Sequence, residues 1–179
     1  MTSAPATVPP NSPEFRTLMS RWPTGVSVVT AREGSLDAGL TVNAFLSVSL
    51  SPPSVLVSLS TDADTTPIVD RTGLFAVNFL SHHQLRVSQR FALPIAPAEK
   101  FAGVPTHRGS TGIALVNETL GAIECRVALR LAAYDHLLFV GEVVRMEVGL
   151  DTLPLLFVKS GYPPVDPEGR VDLGRRTGP

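Results

Sequence analysis

Apolar and polar positions in this chain alternate mostly with a period of two. Leu46, Val48 and Leu50 are separated by Ser47 and Ser49, and Ile123, Cys125, Val127, Leu129 and Leu131 by Glu124, Arg126, Ala128 and Arg130. Successive side chains of a strand point to opposite faces, so both runs predict strands with one apolar and one solvated face. Val26 to Ala31 is short and β-branched, as expected of a strand buried on both faces. Pro52-Pro53 ends one strand, Val55 to Leu59 begins another, and Leu74 to Leu80 repeats the pattern. The segment AAYDHLLFVGEVV, ending at Val144, reads as strand, turn and strand. Leu129 and Leu131 before this turn, and Leu138, Val140 and Val143 after it, are expected on the buried side. The turn itself presents Asp135 and the titratable ring of His136.

Helical signals are short. Thr66-Pro67, then Ile68, Val69 and Gly73, supplies an N-cap, a proline at the first helical position and a glycine stop. Ser81-His82-His83-Gln84 is a capping box that opens a helix through Leu85 to about Phe91. Six or more strands, two or three short helices and no βαβ alternation predict a mainly β, antiparallel barrel.

Composition narrows the class. A chain of 179 residues with 44% hydrophobic content fits one core and one domain, expected over residues 13–165. Residues 1–12, rich in proline and small polar side chains, read as a mobile arm, and 166–179 as a flexible tail. A net charge of −1 gives no field that would attract nucleic acid or an anionic membrane. No apolar run reaches the roughly 20 residues needed to cross a bilayer, and the start lacks a secretory signal. A soluble, cytoplasmic protein is expected. The lone Cys125 excludes an internal disulfide framework and reads as core packing.

Several chemistries lack their motifs: no dinucleotide-binding Gly-x-Gly-x-x-Gly, Walker loop or Gly-x-Ser-x-Gly elbow occurs. His82, His83, His107 and His136 lack a spacing that would gather three ligands, and the adjacent His82 and His83 diverge on a helix, so no metal site is expected. What remains is a row of short polar groups within the β region: Thr41, Asn43, Ser47, Ser58, Ser60 and Thr65-Thr66. Hydroxyls and an amide can bond the edge of a planar heterocycle, and a helix N-terminus can receive a phosphate, a combination that suits a flavin. The same serines alternating with leucines also fit the wet face of a strand.

The ordered segments RWPTGVSVVTA (21–31), GLTVNAFLSVSLSPPSVLVSL (39–59), GLFAVNFL (73–80), RFA (90–92), KFAG (100–103) and DHLLFVGEV (135–143) resemble the short-chain flavin reductase family. The resemblance implies a flavin-binding split barrel, a homodimer, and hydride transfer from NADH or NADPH to FMN or FAD, often on behalf of a partner monooxygenase. By motif it places Thr41, Val42, Asn43, Ala44, Phe45 and Ser47 around the flavin ring and ribityl chain. Ser58, Leu59, Ser60 and Thr65 would lead towards the phosphate, and Phe91, Lys100 and Phe101 would close around the cofactor. Pro23, Thr24, Gly25, Asp135, His136 and Tyr162 fall on the nicotinamide side, with His136 as the residue bearing on catalysis.

The chain departs from the family pattern at two places. Asp62 and Asp64 occupy the phosphate-side loop, where a carboxylate would repel a phosphate dianion, and Tyr134 replaces a glycine common before Asp-His. Two alternatives belong beside the reductase reading: a barrel with permanently bound flavin acting on its own organic substrate, and a non-enzymatic flavin-binding subunit of a biosynthetic complex.

Overall fold

The computed structural model describes residues 13–166 and 168–171; the arm expected at 1–12 and most of the expected tail lie outside them. Helix α1 (Pro13–Ser20) leads to strands β1 (Thr24–Gly25), β2 (Ser27–Glu33) and β3 (Leu36–Val42). Asn43 and Ala44 alone connect β3 to β4 (Phe45–Leu50), which is followed by β5 (Pro53–Ser60), α2 (Thr65–Thr72) and β6 (Leu74–Phe79). A 3-10 turn at His82–Gln84 precedes α3 (Leu85–Ala92) and α4 (Pro97–Phe101). The remaining strands are β7 (Thr106–Arg108), β8 (Ala114–Val116), the long pair β9 (Gly121–Ala133) and β10 (His136–Val148), and β11 (Leu156–Phe157).

Seven strands form one antiparallel sheet in the order β3-β2-β6-β9-β10-β5-β4. β3 and β4 are consecutive in sequence yet occupy its opposite edges. Laid flat, six strand spacings would separate these edges by about 29 Å, whereas a two-residue link reaches at most about 11 Å. The sheet must therefore curl until its edges meet beside Asn43 and Ala44, where the Ser58 N–H donates to the Ala44 carbonyl at 3.1 Å. The result is the mainly β, antiparallel split barrel that pattern and resemblance predict.

The inside of the curl is apolar: Val29, Val57, Leu59, Phe75, Val77, Cys125 and Phe139 pack together, and Ile68 and Val69 of α2 join them. Burial pushes the Cys125 thiol up to about 12, aided by the neighbouring Glu124 charge, so it serves as core packing. β2 is buried on both faces as expected, because Val28 on its other side packs with Val26, Leu80, Phe91 and Leu155. α2 ends at Gly73, whose φ of 66° is the left-handed stop read from sequence, although the residue before the helix is Asp64 rather than Thr66. The capping box at Ser81 and Gln84 forms as predicted.

Three expectations fail for physical reasons. First, four α-helices form among the described residues, not two or three. α4 spans only five residues, too few to show a stripe, and α1 carries Phe15, Leu18 and Met19 on one face within a segment of only eight residues that buries none of them. Second, the alternation in β4 is real but its apolar side faces outward: Leu46, Val48 and Leu50 are exposed, as are Leu129 and Leu131 of β9. Third, Glu124, read as a solvated residue, is buried beneath the β7–β8 hairpin. In addition, residues after Val165 do not start as free chain, since Val165 bridges Val171 around a turn in which Gly169 N–H donates to Asp166.

Glu124 is stable there because its carboxylate is fully partnered. One oxygen accepts from the N–H and hydroxyl of Ser110, both at 2.9 Å, and the other from the N–H of Thr111 at 2.7 Å and from the Thr111 hydroxyl. Gly109 is required beside it, because a Cβ would lie 2.6 Å from the carboxylate carbon. Burial alone would raise the Glu124 pKa, but the Thr111 and Ser110 bonds outweigh it and hold the group below the usual carboxylate range. Asn78 forms a second buried anchor: its amide donates to the Val28 carbonyl at 2.9 Å and Thr30 Oγ1 at 3.2 Å, and its oxygen accepts from Val116 N–H at 2.8 Å.

The far end of β10 is tied to the same hairpin through His107. Its Nδ1 lies 2.7 Å from Asn117 Oδ1 and its Nε2 3.0 Å from Glu147 Oε2. Both nitrogens donate only when the ring is protonated. The Asn117 contact raises the His107 pKa, burial opposes it, and the Glu147 carboxylate adds to the rise.

Glu124→Gln should lower stability by about 2 kcal/mol, since an amide nitrogen then faces buried N–H and O–H donors. The native contribution is present above the unfolded carboxylate value, about 4.3, and is lost as pH falls through the lower folded value. Thermal melts should therefore show a difference between variant and wild type that is largest at pH 7 and shrinks as the pH is lowered below the carboxylate range; equal melting points at pH 7 would refute the anchor. For His107 the sign is opposite. Its contribution is full below the unfolded histidine value, about 6.5, and disappears as pH rises through the higher folded value. The melting-point gap between wild type and His107→Gln should shrink from pH 5.5 to pH 8.5, and a constant gap would contradict the pairing.

Candidate functional site

The meeting of the sheet edges leaves a cavity of about 450 Å³ between residues 22–25 and the Asn43–Phe45 connection. Its position follows from three backbone bonds: Val26 N–H donates to Leu155, Leu155 N–H to Leu80, and Leu80 N–H to Val26. With β1 paired to β11, these bonds hold Pro23, Thr24 and Gly25 as one wall. Phe45, Phe79, Leu80, Leu120 and Leu155 supply apolar surface, and the Phe45 and Phe79 rings meet edge to face at 5.1 Å. A shallower depression continues outward to Met19, Ala44, Leu46 and Leu56, sharing Trp22, Thr24, Asn43 and Phe45 with the first. One polar atom in this setting is unsatisfied: the hydroxyl oxygen of Thr24 is buried and makes no hydrogen bond. An apolar cavity lined by an unpartnered hydroxyl, an exposed asparagine and the buried Ser27 suits a planar heteroaromatic ring with polar edges.

A second group lies along the outer surface of β5 and β10. Register places His136 opposite Ser60 and Leu138 opposite Ser58. From Leu56, in the shallow depression, to Ser60 is four residues, or about 13 Å along the strand. His136 Nδ1 lies 2.8 Å from Asp135 Oδ1, and the Asp135 carbonyl accepts from the Thr61 N–H at 2.9 Å and hydroxyl at 3.1 Å. The His136 hydrogen bond holds the Asp135 carboxyl below the usual carboxylate range. With Nδ1–H donating to Asp135, Nε2 is the ring nitrogen left to meet a ligand. Tyr134, at the tip of the turn, is fully exposed with φ of +57°, a conformation glycine adopts more readily. Ser60 caps the next turn, accepting from Asp62 N–H, and its carbonyl accepts from the Thr66 hydroxyl.

The structure thus gathers Pro23, Thr24, Gly25, Asn43, Ala44 and Phe45 at the cavity, and Ser58, Ser60, Asp135 and His136 on the adjoining surface. Val42, Leu59 and Thr65 are buried and have almost no side-chain surface to offer, while Ser47 is exposed on β4 away from both depressions.

The remaining expected residues stand elsewhere. Phe91 is wholly buried, packed against Gly39, where a Cβ would meet its ring at 2.5 Å, and edge-on to Phe101 with ring centres 5.0 Å apart. Lys100 is also buried, and its ammonium donates to the carbonyls of Gly39 and Phe91 at 3.3 Å each. Burial lowers its pKa and the charge of Asp64 opposes that shift. Thr41 donates to the Ser88 carbonyl at 2.6 Å, and Ser88 Oγ lies 2.9 Å from the hydroxyl of Tyr162, which packs on Phe157. Phe91, Lys100, Phe101, Thr41 and Tyr162 line neither depression; they join α3 and α4 to β3 and the C-terminal segment. Sequence reasoning in turn missed Trp22, Phe79, Leu120 and Leu155 as cavity walls. Trp22 carries a signal, as the sole tryptophan directly before Pro-Thr-Gly. Leu120 and Leu155 are brought in by tertiary structure alone.

Comparison with known proteins matches this architecture. The family model for the flavin reductase like domain matches residues 19–166. The reductase component of an FADH(2)-dependent resorcinol hydroxylase from Rhizobium sp. is 34% identical, over 87% of this chain and 88% of its own. The actinorhodin polyketide dimerase of Streptomyces coelicolor is 36% identical, over 80% of this chain and 81% of its own. Among solved structures, an NADH:FAD oxidoreductase from Streptomyces globisporus superposes with a TM-score of 0.85 at 30% identity, covering 93% of this chain and all of that one. With that match spanning nearly all of the folded residues, the chain belongs to the flavin reductase like family.

Proposed function

We propose that this protein is an NAD(P)H-dependent flavin reductase that passes hydride to FMN or FAD and supplies the reduced flavin to a partner monooxygenase. The observation that carries this reading is the apolar cavity at the barrel seam, with its buried, unpartnered Thr24 hydroxyl beside Asn43. These residues fit a flavin ring: Phe45 and Phe79 offer apolar contact, while Thr24, Ser27 and Asn43 offer hydrogen bonds to its polar edges.

When bound together, the nicotinamide supplies a hydride and the flavin accepts it, chemistry that belongs to the cofactors. The chain's own task is to hold two rings at reacting distance and keep water from between them. Pro23, Thr24 and Gly25 form the wall on the nicotinamide side, and His136 orients a polar group through Nε2 while Asp135 fixes its tautomer. Ser58 and Ser60 lead from the seam towards the start of α2. There Asp62 and Asp64 are exposed, which opposes a closely held phosphate dianion and favours a flavin that exchanges.

Exposed apolar groups support a homodimer. Cross-strand register aligns Leu46, Leu56, Val140 and Leu129 in one row across β4, β5, β10 and β9, with Leu138 and Leu131 beside it. Leu46, Leu129 and Leu131 stand open to solvent in the single chain. A continuous apolar sheet face of this kind calls for a partner, and a second copy related by a two-fold axis would cover it. No helix among the described residues is long and apolar enough to cross a membrane; we place the protein in the cytoplasm, where NAD(P)H is available. The identity to a polyketide dimerase supports a second reading, in which the cavity serves an aromatic substrate of the protein's own with flavin retained.

NADH or NADPH oxidation, followed at 340 nm on flavin-free protein, should depend on added flavin and saturate with it. His136→Ala should raise KM for the nicotinamide and slow hydride transfer by about tenfold to a hundredfold, the effect of one or two positioning contacts. Tight flavin binding without such turnover would favour the second reading, and unchanged kinetics in His136→Ala would remove its assigned role.

A further inference from the structure

Trp22 is the largest apolar side chain lining the cavity, and among the described residues no ring contact accounts for it. Its relative exposure is 70%, although its backbone is fixed on both sides. Trp22 N–H donates to Met19, Lys159 N–H donates to the carbonyl of Ser20, and Thr24 pairs with Phe157. The backbone that carries the indole is therefore fixed, while the side chain is not buried. Trp22 borders both the deep cavity and the shallow depression, and Thr24, whose hydroxyl is buried and unpartnered, lines both as well. An aromatic group of this size normally gains most of its stabilising contact by covering apolar surface. Here the adjoining apolar surface is the cavity itself.

We propose that Trp22 is a ring-binding residue: its indole covers the planar heteroaromatic ring seated in the cavity, while the Thr24 hydroxyl hydrogen-bonds the edge of that ring. This assignment rests on the reading that the cavity receives a flavin or nicotinamide ring and adds the residue that sets its affinity. Contact through the ring face is indifferent to the phosphate end of the ligand. Trp22 thus governs recognition of the ring common to riboflavin, FMN and FAD, and the unfavourable charge of Asp62 and Asp64 is countered by stacking rather than by a cation. Because the indole is exposed, its removal leaves the core untouched.

The test is calorimetric titration of flavin-free wild type, Trp22→Phe, Trp22→Ala and Asn43→Ala, separately with riboflavin and with NADH, alongside thermal melts and light scattering. Trp22→Ala should bind riboflavin about fivefold to tenfold more weakly, with Trp22→Phe within about threefold of wild type, the span expected for loss of one aromatic contact. The melting point and mass of Trp22→Ala should not change. Weakening confined to NADH would assign the covered ring to the nicotinamide and still uphold the contact. Unaltered affinity for both ligands in Trp22→Ala, with Asn43→Ala impaired, would overturn the role of Trp22 and leave the cavity reading intact. Absence of binding by wild type would overturn both. A change of mass without a change of affinity would show that the indole serves subunit contact, and would also overturn the proposal.

Discussion

The two-residue connection between β3 and β4 constrains everything else in this fold. These strands belong to opposite edges of a seven-stranded sheet, and Asn43 and Ala44 can join them only if the sheet rolls up. Rolling creates an interior, filled by Val29, Val57, Phe75, Val77 and Phe139, and a seam where the edges meet without pairing along their length. At that seam the 22–25 wall stands across from Asn43 and Phe45 and leaves space between them. The candidate ligand cavity is thus a consequence of how the barrel closes, which is why its polar groups come from a short connection and a two-residue strand.

Closure also depends on buried polar groups that keep the outer layer in place. Glu124 and Asn78 project from the side of β9 and β6 opposite the main core and bind the hairpin of β7 and β8 through its backbone. Each is fully partnered, so it fixes register where apolar packing alone would tolerate sliding. Phe91, Lys100 and the Thr41–Ser88–Tyr162 chain perform the same task for α3 and α4. The side chains holding these layers are sequence-distant, and few of them touch the cavity they support.

This division explains what could be read from the sequence. Period-two alternation located β4, β5, β6, β9 and β10, because pleating dictates it whatever lies on either side. Which side is covered depends on neighbours, so the apolar side of β4 faces outward and the polar side of β9 at Glu124 is roofed by the β7–β8 hairpin, while a register shift at Val140 and Gly141 turns Leu129 to the outer face. Local turn chemistry revealed Gly73 and the Ser81 capping box for similar reasons. At the site, Pro23-Thr24-Gly25, Asn43-Ala44-Phe45 and Asp135-His136 were legible as contiguous motifs, and His136 does meet Asp135. Leu120 and Leu155 were not legible, since only folding brings them to Phe79. The burial of Phe91 and the carbonyl partners of Lys100 were likewise not legible, since they depend on how α3 and α4 pack on β3.

The outer apolar row and the shallow depression beside the seam cavity share Leu46 and Leu56, so covering the row would shape the approach to the cavity. The most direct test of the account is a crystal structure of the protein with oxidised flavin. It predicts ring density between the Trp22–Gly25 segment and Asn43–Phe45, with the ribityl chain running past Ser58 towards Ser60. Ring density lodged elsewhere, such as against α4 and Lys100, with the seam cavity holding only solvent, would contradict it.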